Sequence, residues 1–447
     1  MSPVLMKILQ VILAISLLVV IHEFGHFFFA KLFKIKVDKF FLFFDANGFK
    51  LLSTKEGWFS RLFPGLKKYE TEYGIGWLPL GGYCKINGMI DESLDTDGLK
   101  SEPQPYEFRS KPAWQRFWVM FGGVFFNFIF AIIMYSTIAG IWGESYLSNE
   151  DNEIYVSDLA YEMGFRNGDK ILKMDDYVPE NFGMLQADLA RKQVHKVSLL
   201  RDKDTVELYI DQSMIPEILN TPYLFGVALP AVIDTIPPTS LNYQKGLRKG
   251  DEIISVLGQK TEYIQDFKKV LSEHPGEMLA ATIVREGDTL ATEIQVDTLG
   301  RANIYTQAPN IKTQRYNALT AIPAGFKLTF SSISGYLQDL KLVAQPSTGA
   351  YKSVGSFIAI GQIFPSQWDW FRFLHIVAML SIMLGVMNLL PIPALDGGHI
   401  VFVLYEMITK RKPSEKFLMT AQIIGMMLLM LLMFYACGND IVRLFKM

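Results

Sequence analysis

Three stretches of the chain run for 20 residues or more without an acidic residue, a lysine or an arginine: 117–142, 373–395 and 417–436. A fourth apolar run fills residues 8–21 and resumes, after a short polar interruption, as far as Ala30. A helix needs about 20 apolar residues to cross the hydrocarbon core of a bilayer. No small-residue cleavage site follows the first run, which favours a retained helix over a removable signal peptide. We therefore predict a polytopic α-helical membrane protein with four transmembrane helices, at about 5–30, 117–142, 373–395 and 417–436.

The distribution of lysine and arginine predicts how these helices are oriented, because loops rich in these residues stay on the cytoplasmic side. Residues 31–116 carry many of them, and so does the short segment 410–416. The second apolar run instead leads into the acidic sequence GESYLSNEDNE. We therefore expect both basic segments to be cytoplasmic. Both termini and the long region between the second and third helices are expected to be extracytoplasmic.

The region between the second and third apolar runs contains an internal repeat. The sequence GFRNGDKIL at 164–172 returns as GLRKGDEII at 246–254, and RDKDTVEL has a later counterpart in REGDTLATE. A fixed spacing of about 82 residues indicates two copies of one small domain, which we place at 146–218 and 223–300. In each copy a glycine-containing turn precedes apolar strands and a helix-like stretch. This mixed α/β pattern resembles PDZ domains, particularly the circularly permuted kind found in bacterial proteases.

Two interpretations of these PDZ-like copies remain open. PDZ domains can bind an extended peptide as an added strand at an exposed sheet edge. The alternative is a pair of compact spacers that bind no peptide and only obstruct access. The sequence does not distinguish them, because it does not define a groove.

Two further segments combine apolar sequence with helix-breaking residues. Residues 72–88, EYGIGWLPLGGYCKING, contain five glycines and a proline. We predict a membrane-associated β-hairpin that dips into the bilayer beside the helices of 1–145, where protein or a water-filled cavity satisfies its backbone. An ordinary cytoplasmic hairpin is the alternative. Residues 301–371 are predicted to form a linker and membrane-surface helices, before 372–447 completes the membrane part.

The first apolar run is interrupted by His22, Glu23 and His26. The two histidines are four residues apart, so on a helix they share one face and can bind one ion. With Glu23 they form the H-E-x-x-H arrangement of zinc peptidases, in which the glutamate is the general base for water at the metal. An ionisable residue at the centre of a membrane helix costs about 2.5–3.5 kcal/mol, whereas zinc binding returns about 10–16 kcal/mol in small peptides. A zinc site therefore explains this triplet better than a polar patch without metal.

A tetrahedral catalytic zinc site needs a third protein ligand and keeps its fourth position for water. The candidate is Asp396 in NLLPIPALDGGH, which we place at the end of the third transmembrane helix. The first and third helices run in the same direction because one helix separates them, so both sets of ligands lie towards the cytoplasmic ends. With a rise of 1.5 Å per residue, His22 lies roughly 20 Å beyond Ile8. We expect Asp396 at a comparable depth, because Pro391 and Pro393 break and extend the chain ahead of it.

Several motifs together resemble the site-2 protease family of intramembrane zinc metalloproteases. They are HEFGH in the first helix, PLGGYCKI after it, GGVFFN in the second helix, the two PDZ-like copies and NLLPIPALDGG in the third helix. The resemblance covers essentially the whole chain. It implies that His22, His26 and Asp396 bind Zn²⁺ and that Glu23 is the catalytic base.

The resemblance also implies that Asn388 and Asn127 bind the substrate backbone. One departure concerns Asn127, since the family often has proline in a G-P-x-x-N pattern where this chain has Val124. His399 follows the LDGG sequence closely, but three ligands are already assigned, so we expect it to support the site without binding the metal.

We expect an enzyme that cleaves transmembrane segments of single-span membrane proteins, after another protease has trimmed them, in regulated intramembrane proteolysis. The family implies anti-sigma factors and signal-peptide remnants as substrates, and a bacterial inner membrane as the location, with the active site near the cytoplasmic side. A catalytically silent PDZ membrane scaffold and a metal transporter are the alternatives. A scaffold needs no H-E-x-x-H motif, and Glu23 beside His22 favours hydrolysis over metal transit. The expected partners are such substrates and the lipid bilayer, since a net charge of −2 gives no support for nucleic-acid binding.

Overall fold

The computed structural model of the protein describes residues 2–89 and 102–446. Its α-helices are α1 (Pro3–Leu32), α2 (Gly57–Leu62), α3 (Ala113–Trp142), α4 (Asp158–Glu162), α5 (Leu185–Arg191), α6 (Ile215–Asn220), α7 (Leu241–Gln244), α8 (Ile264–Glu273), α9 (Ala318–Ala344), α10 (Phe357–Ile363), α11 (Trp370–Leu389), α12 (Asp396–Thr409) and α13 (Glu415–Lys446). Its strands are β1 (Val37–Phe44), β2 (Lys50–Ser53), β3 (Glu72–Gly76), β4 (Leu78–Ile86), β5 (Glu144–Leu147), β6 (Ile154–Val156), β7 (Lys170–Met174), β8 (Lys196–Arg201), β9 (Asp204–Tyr209), β10 (Phe225–Val227), β11 (Ile233–Thr235), β12 (Glu252–Val256), β13 (Gln259–Lys260), β14 (Met278–Arg285), β15 (Asp288–Gln295), β16 (Tyr305–Thr306) and β17 (Ile311–Gln314).

The chain divides into two compact units. The first comprises residues 1–144, 315–341 and 352–447, and the second comprises 145–314 and 342–351. Among the described residues, four helices of the first unit are long and apolar enough to cross a membrane, namely α1, α3, α11 and α13. The prediction of four long apolar helices is therefore confirmed, apart from the end of the third.

Glycines bring the backbones of α1 and α3 into direct contact. A Cβ atom on Gly25 of α1 would overlap the carbonyl group of Gly122 on α3, and one on Gly122 would lie 2.5 Å from the carbonyl oxygen of Gly25. Gly123 faces the side chains of His22 and His26 just as closely. Small residues permit this approach between membrane helices, whose association depends on close packing because lipid supplies no hydrophobic driving force. The GGVFFN sequence therefore places α3 against the histidine face of α1.

The third transmembrane helix is shorter than predicted, and Asp396 does not lie at its end. Helix α11 stops at Leu389, whereas the predicted helix continues to residue 395. Pro391 and Pro393 cause the early stop, because proline lacks the N–H that a helix interior needs and disfavours helical geometry in the residue before it. Asp396 is instead the first residue of a new helix, α12. A carboxylate is favoured at this position by the positive end of the helix dipole.

An ion pair fixes α12 to α3. Arg116 donates to a carboxylate oxygen of Glu406 at 2.6 Å and also donates to the backbone carbonyl of Lys111. Both charged side chains are largely buried, with 11% and 12% of their surface exposed. Removing one member of such a pair leaves the other charge buried and unpaired. The position of α12 is therefore tied to α3 independently of α11.

Residues 72–88 do not form the predicted hairpin. Strands β3 and β4 belong to a four-stranded sheet of order β2-β3-β1-β4, in which β1 lies between them. Strand β3 pairs with β1 in parallel and β4 pairs with β1 in antiparallel orientation. Only Trp77 separates β3 from β4. A connection of one residue is too short for the two-residue turn of a tight hairpin. As a result, β4 is an edge strand of the sheet.

Helix α9 packs along the second and third transmembrane helices. A Cβ atom on Gly325 would overlap the Ser136 side chain of α3. Leu328 and Ile333 pack against a buried cluster that contains Ala131 of α3 and Ala378 of α11. This part of the predicted linker 301–371 is thus an integral part of the first unit.

The second unit contains two copies of the same bonding pattern, as the sequence repeat predicts. Arg201 donates to both carboxylate oxygens of Asp169 and to the carbonyl of Gly164. The second copy repeats these bonds one for one, from Arg285 to Asp251 and Gly246. Asp169 and Asp251 are fully buried. Each repeated arginine therefore neutralises a buried carboxylate in the G-x-x-x-G-D turn of its copy.

Each copy has its own sheet and its own hydrophobic core. The sheets have the orders β7-β8-β9 and β13-β12-β14-β15, and each copy adds a two-stranded pair, β6 with β10 and β11 with β16. Strand β10 lies within the range 223–300, yet it pairs with β6 of the first copy. The two copies are joined where Tyr155 donates to the Asp266 carboxylate at 2.8 Å.

Candidate metal centre

Three potential metal ligands converge where α1 meets the start of α12. His22 and His26 project from adjacent turns of α1, and their Nε2 atoms are 3.2 Å apart. The Oδ2 atom of Asp396 lies 3.1 Å from Nε2 of His22 and 3.4 Å from Nε2 of His26. Among the described residues, this is the one cluster of three such side chains whose ligand atoms lie close enough to share an ion. The structure thus brings together the three predicted metal ligands.

The proton on His26 is placed by a bond to α3. Its Nδ1 atom lies 2.8 Å from the carbonyl oxygen of Val119, which can only accept a hydrogen bond. Nδ1 therefore carries the hydrogen, and Nε2 of the neutral imidazole presents a lone pair. Metal-binding histidines usually donate their second ring N–H in this way, which fixes both tautomer and ring orientation.

His22 is held by Asn127 of α3. The amide of Asn127 lies 3.0 Å from Nδ1 of His22, and Asn127 is fully buried. Its Oδ1 atom is buried without a hydrogen-bond partner. The oxygen and nitrogen of an amide exchange places by a flip of the group. In the flipped state Oδ1 accepts from Nδ1–H of His22, which leaves Nε2 of His22 free to bind a metal.

The three ligand atoms have the spacing that zinc requires. With bonds of about 2.0–2.1 Å, the edges of a tetrahedral zinc site measure about 3.3 Å, and the three separations here are 3.1 to 3.4 Å. Oδ2 of Asp396 is buried and makes no hydrogen bond to a described residue. Three lone pairs that face one another at this distance repel unless a cation lies between them. The residues therefore fit Zn²⁺.

Glu23 lies beside these ligands, in a cavity of about 600 Å³. Cys84, on the edge strand β4, lines the same cavity as the Glu23 carboxylate. The same cavity is lined by Asn388, His399 and Gln422. Nδ2 of Asn388 lies 3.2 Å from Nε2 of His22, so this amide adjoins the metal position from α11. The cavity thus contains a carboxylate and an amide next to the candidate ligands.

A charged network forms another part of the cavity wall. Asp45 accepts from Lys39 at 3.0 Å and from the Tyr83 hydroxyl at 2.8 Å. Burial raises the pKa of Asp45, but the hydrogen bonds from Lys39 and Tyr83 outweigh it and hold this pKa below its ordinary value. Asp45 is therefore ionised at neutral pH.

Three residues of the site were not among the site residues predicted from the sequence. Val119 contributes only its backbone carbonyl, which any residue provides. Gly123 permits the close approach of α3, and two adjacent glycines among large residues are a signal of such packing. Gln422 is a polar residue in the fourth apolar run, which is a signal of a buried polar contact.

Comparisons with known proteins agree with this arrangement. The model of the family described as peptidase family M50 matches residues 10–432. The regulator of sigma-E protease RseP of Salmonella typhimurium (strain 14028s / SGSC 2262) is 27% identical over 99% of this chain and 100% of its own length. Protease RseP of Yersinia pestis is 27% identical over the same shares. A Vibrio cholerae relative whose name includes the words zinc metalloprotease is also 27% identical, over 99% of this chain and 100% of its own length. The resemblance predicted from the sequence motifs is confirmed.

Proposed function

The chain belongs to peptidase family M50, the site-2 protease family, and is a zinc metalloprotease; on this premise we propose that it cleaves transmembrane segments of membrane proteins within the bilayer. The observation that carries the proposal is the triangle of His22, His26 and Asp396 beside Glu23, among helices long enough to span a membrane. Ionisable side chains within a membrane-spanning helix cost free energy unless an interaction such as metal binding compensates for their burial.

His22, His26 and Asp396 would hold the zinc ion, and Glu23 would act as general base and then as general acid. Zinc bound there supplies a Lewis acid that activates water and polarises the scissile carbonyl. Glu23 takes a proton from the attacking water and later donates it to the leaving amine. The backbone N–H of Cys84, which lines the same cavity, would orient the Glu23 carboxylate.

Strand β4 and Asn388 would bind an unwound substrate. A helical peptide bond hides its carbonyl in the i to i−4 hydrogen-bond ladder, so the substrate helix must open before cleavage. Strand β4 is a sheet edge that adjoins the cavity, and an edge can pair with an extended segment. The Asn388 amide would then bond to the backbone of that segment. We also propose that this sheet lies at membrane depth, which the neighbouring protein and cavity make tolerable.

The second unit would select substrates. We propose that its two copies are PDZ-like domains on the extracytoplasmic side, that both chain termini lie on that side, and that the metal site lies near the cytoplasmic side of a bacterial inner membrane. Because β10 pairs with β6, we assign β10 to the first PDZ-like domain. Because β16 pairs with β11, we assign β16 to the second. By family resemblance, the copies admit single-span proteins already trimmed by another protease, such as anti-sigma factors and signal-peptide remnants.

A paired cleavage assay in detergent tests the proposal. Wild type, Glu23→Gln and the control Glu56→Gln, an exposed glutamate of the same unit, are given a pre-trimmed single-span substrate, and zinc content is measured on each. Because general acid–base catalysis contributes about 10²–10⁴-fold, we expect Glu23→Gln to lose at least that factor while all three hold about one zinc per chain. A wild type that holds no zinc would contradict the proposal and favour the scaffold. Zinc that exchanges readily, without cleavage, would favour the transporter.

A further inference from the structure

The residue two positions before Asp396 has a strained backbone. Ala394 has φ of +80°, in the left-handed region that residues with a Cβ atom rarely occupy. It lies in the short connection between α11 and α12, after Pro391 and Pro393. A strained residue persists only when its surroundings hold it in place. The conformation of Ala394 sets the direction in which the chain enters α12, and Asp396 is the first residue of that helix.

Two residues of α13 contact this connection. The side-chain oxygen of Gln422 accepts from the backbone N–H of Ala394 at 3.2 Å, and Gln422 is only 4% exposed. One turn further along α13, Gly425 lies so close to Pro393 that a Cβ atom would overlap its carbonyl. The two contacts fix consecutive residues of the connection from the same helix face.

Helix α13 is weakly packed over most of its length, and its other buried polar contact lies near its C-terminal end, where Asp440 accepts from Ser356. Only 11% of the most apolar 18-residue stretch of α13 is buried in the protein, against 39% for the corresponding stretch of α3 and 44% for that of α11. An amide in a membrane span is unfavourable unless it finds a hydrogen-bond partner. A span that faces mainly lipid therefore places its glutamine and its closest-packed glycine at the one connection that leads to Asp396.

We propose that Gln422 is a positioning residue for the metal site, which holds Ala394 in its left-handed conformation and thereby fixes the carboxylate of Asp396 against His22 and His26. Gly425 supports it by letting α13 approach Pro393. The inference rests on the proposed metal role of Asp396. It adds that the fourth transmembrane helix is part of the metal-binding structure although it contributes no ligand.

The test measures the rate at which purified full-length protein loses zinc to a chelator, alongside its thermal unfolding. Gln422→Met removes the acceptor and keeps the length of the side chain. Outer partners of metal ligands typically change metal affinity by about 10–100-fold, so we expect zinc loss at least about tenfold faster than in wild type. Gln422→Glu keeps an acceptor oxygen and should lose zinc at close to the wild-type rate.

Gln10→Met is the matched control. Gln10 is a fully buried glutamine of α1 that donates to the carbonyl of Pro365, away from the metal site. We expect this variant to lower the unfolding temperature without faster zinc loss. Ala394→Gly supplies the second test, because glycine adopts a positive φ without strain. Added to Gln422→Met, it should restore most of the zinc retention.

Each outcome has one meaning. Unchanged zinc loss in Gln422→Met, equal acceleration in Gln10→Met, or no rescue by Ala394→Gly would overturn the inference and leave the proposed function intact. A wild type that binds no zinc would overturn the proposed function itself. If Gln422→Met does not yield folded protein, Gly425→Ala takes its place: faster zinc loss supports the inference, and unchanged loss overturns it.

Discussion

Gly123 of α3 lies directly against His26 of α1, so closely that a Cβ atom at this position would be 2.5 Å from Nε2 and equally close to Cε1 of His22. The proposed metal site is therefore shaped from both sides. Helix α1 contributes the two imidazoles. Because Gly123 of α3 has no side chain, the imidazole rings fit against α3. The same segment of α3 also provides the hydrogen-bond acceptor for His26 and the amide for His22.

Gly123→Ala should remove zinc binding. The added methyl group must push apart the two imidazoles or the two helices, because neither ring can move without losing its bond to α3. We expect zinc content below about a tenth of the wild-type level, measured by elemental analysis. Gly438→Ala is the matched control, since a Cβ atom at that helical position meets no atom within 4 Å. Equal zinc content in both variants would show that the helices tolerate the methyl group.

Asp396→Asn should also abolish tight zinc binding, whereas His399→Ala should not. The substitution in Asp396 removes the one anionic ligand and leaves a neutral amide. His399 lines the cavity, but its ligand atoms are not part of the close cluster. Zinc content and peptidase activity of both variants check this prediction. Loss of zinc from His399→Ala would mean that His399 belongs to the ligand set.

Asn127→Leu separates two possible roles of this residue. The sequence resemblance predicts that Asn127 binds substrate, while its full burial and its contact with His22 favour a role in orienting the ligand. In the second case, zinc affinity falls about 10–100-fold, and KM for the substrate changes little once zinc is saturating. Asn127→Asp, which keeps an acceptor for Nδ1–H, should retain zinc. A raised KM with normal zinc affinity would support the substrate-binding role instead.

Arg201→Ala and Arg285→Ala should each destabilise the second unit by about 3 kcal/mol, because each leaves a fully buried aspartate without its partner. Lys249→Ala is the control, since its ion pair with Asp234 is exposed, and such pairs contribute about 0–1 kcal/mol. Hydrogen exchange of the second unit measures the difference. We expect zinc content to stay unchanged in all three. An equal effect of Lys249→Ala would contradict the assigned importance of the buried pairs.

Much of this structure follows from local sequence. The four apolar runs, the spacing of His22 and His26 and the repeated G-x-x-x-G-D turns each depend on residues close together in the chain, so their pattern is visible without a fold. The strand order β2-β3-β1-β4 cannot be predicted from local sequence, because β3 pairs with β1, which lies about 30 residues earlier in the chain. The break before Asp396 also follows from local sequence, because Pro391 and Pro393 predict it, although the predicted boundary at residue 395 lies six residues beyond the observed end at Leu389.

The remaining features of the site could not be predicted from the sequence because they depend on contacts between distant parts of the first unit. Asn127, Gly123 and Gln422 affect the site through neighbours 28 to 105 positions away in sequence or through the shape of a helix surface. No spacing rule connects Gln422 to Ala394. Such pairs become visible only when the helices are packed.

The break between Leu389 and Asp396 also decouples the metal ligand from the mechanics of the bilayer. A membrane helix tilts to match the thickness of the surrounding lipid, and an unbroken third helix would transmit that tilt to the carboxylate like a lever. Here α12 starts afresh and is fastened to α3 by Arg116 and Glu406. A change in the tilt of α11 is thus not passed along a continuous helix to the carboxylate of Asp396, whose position is set by α12 and its attachment to α3.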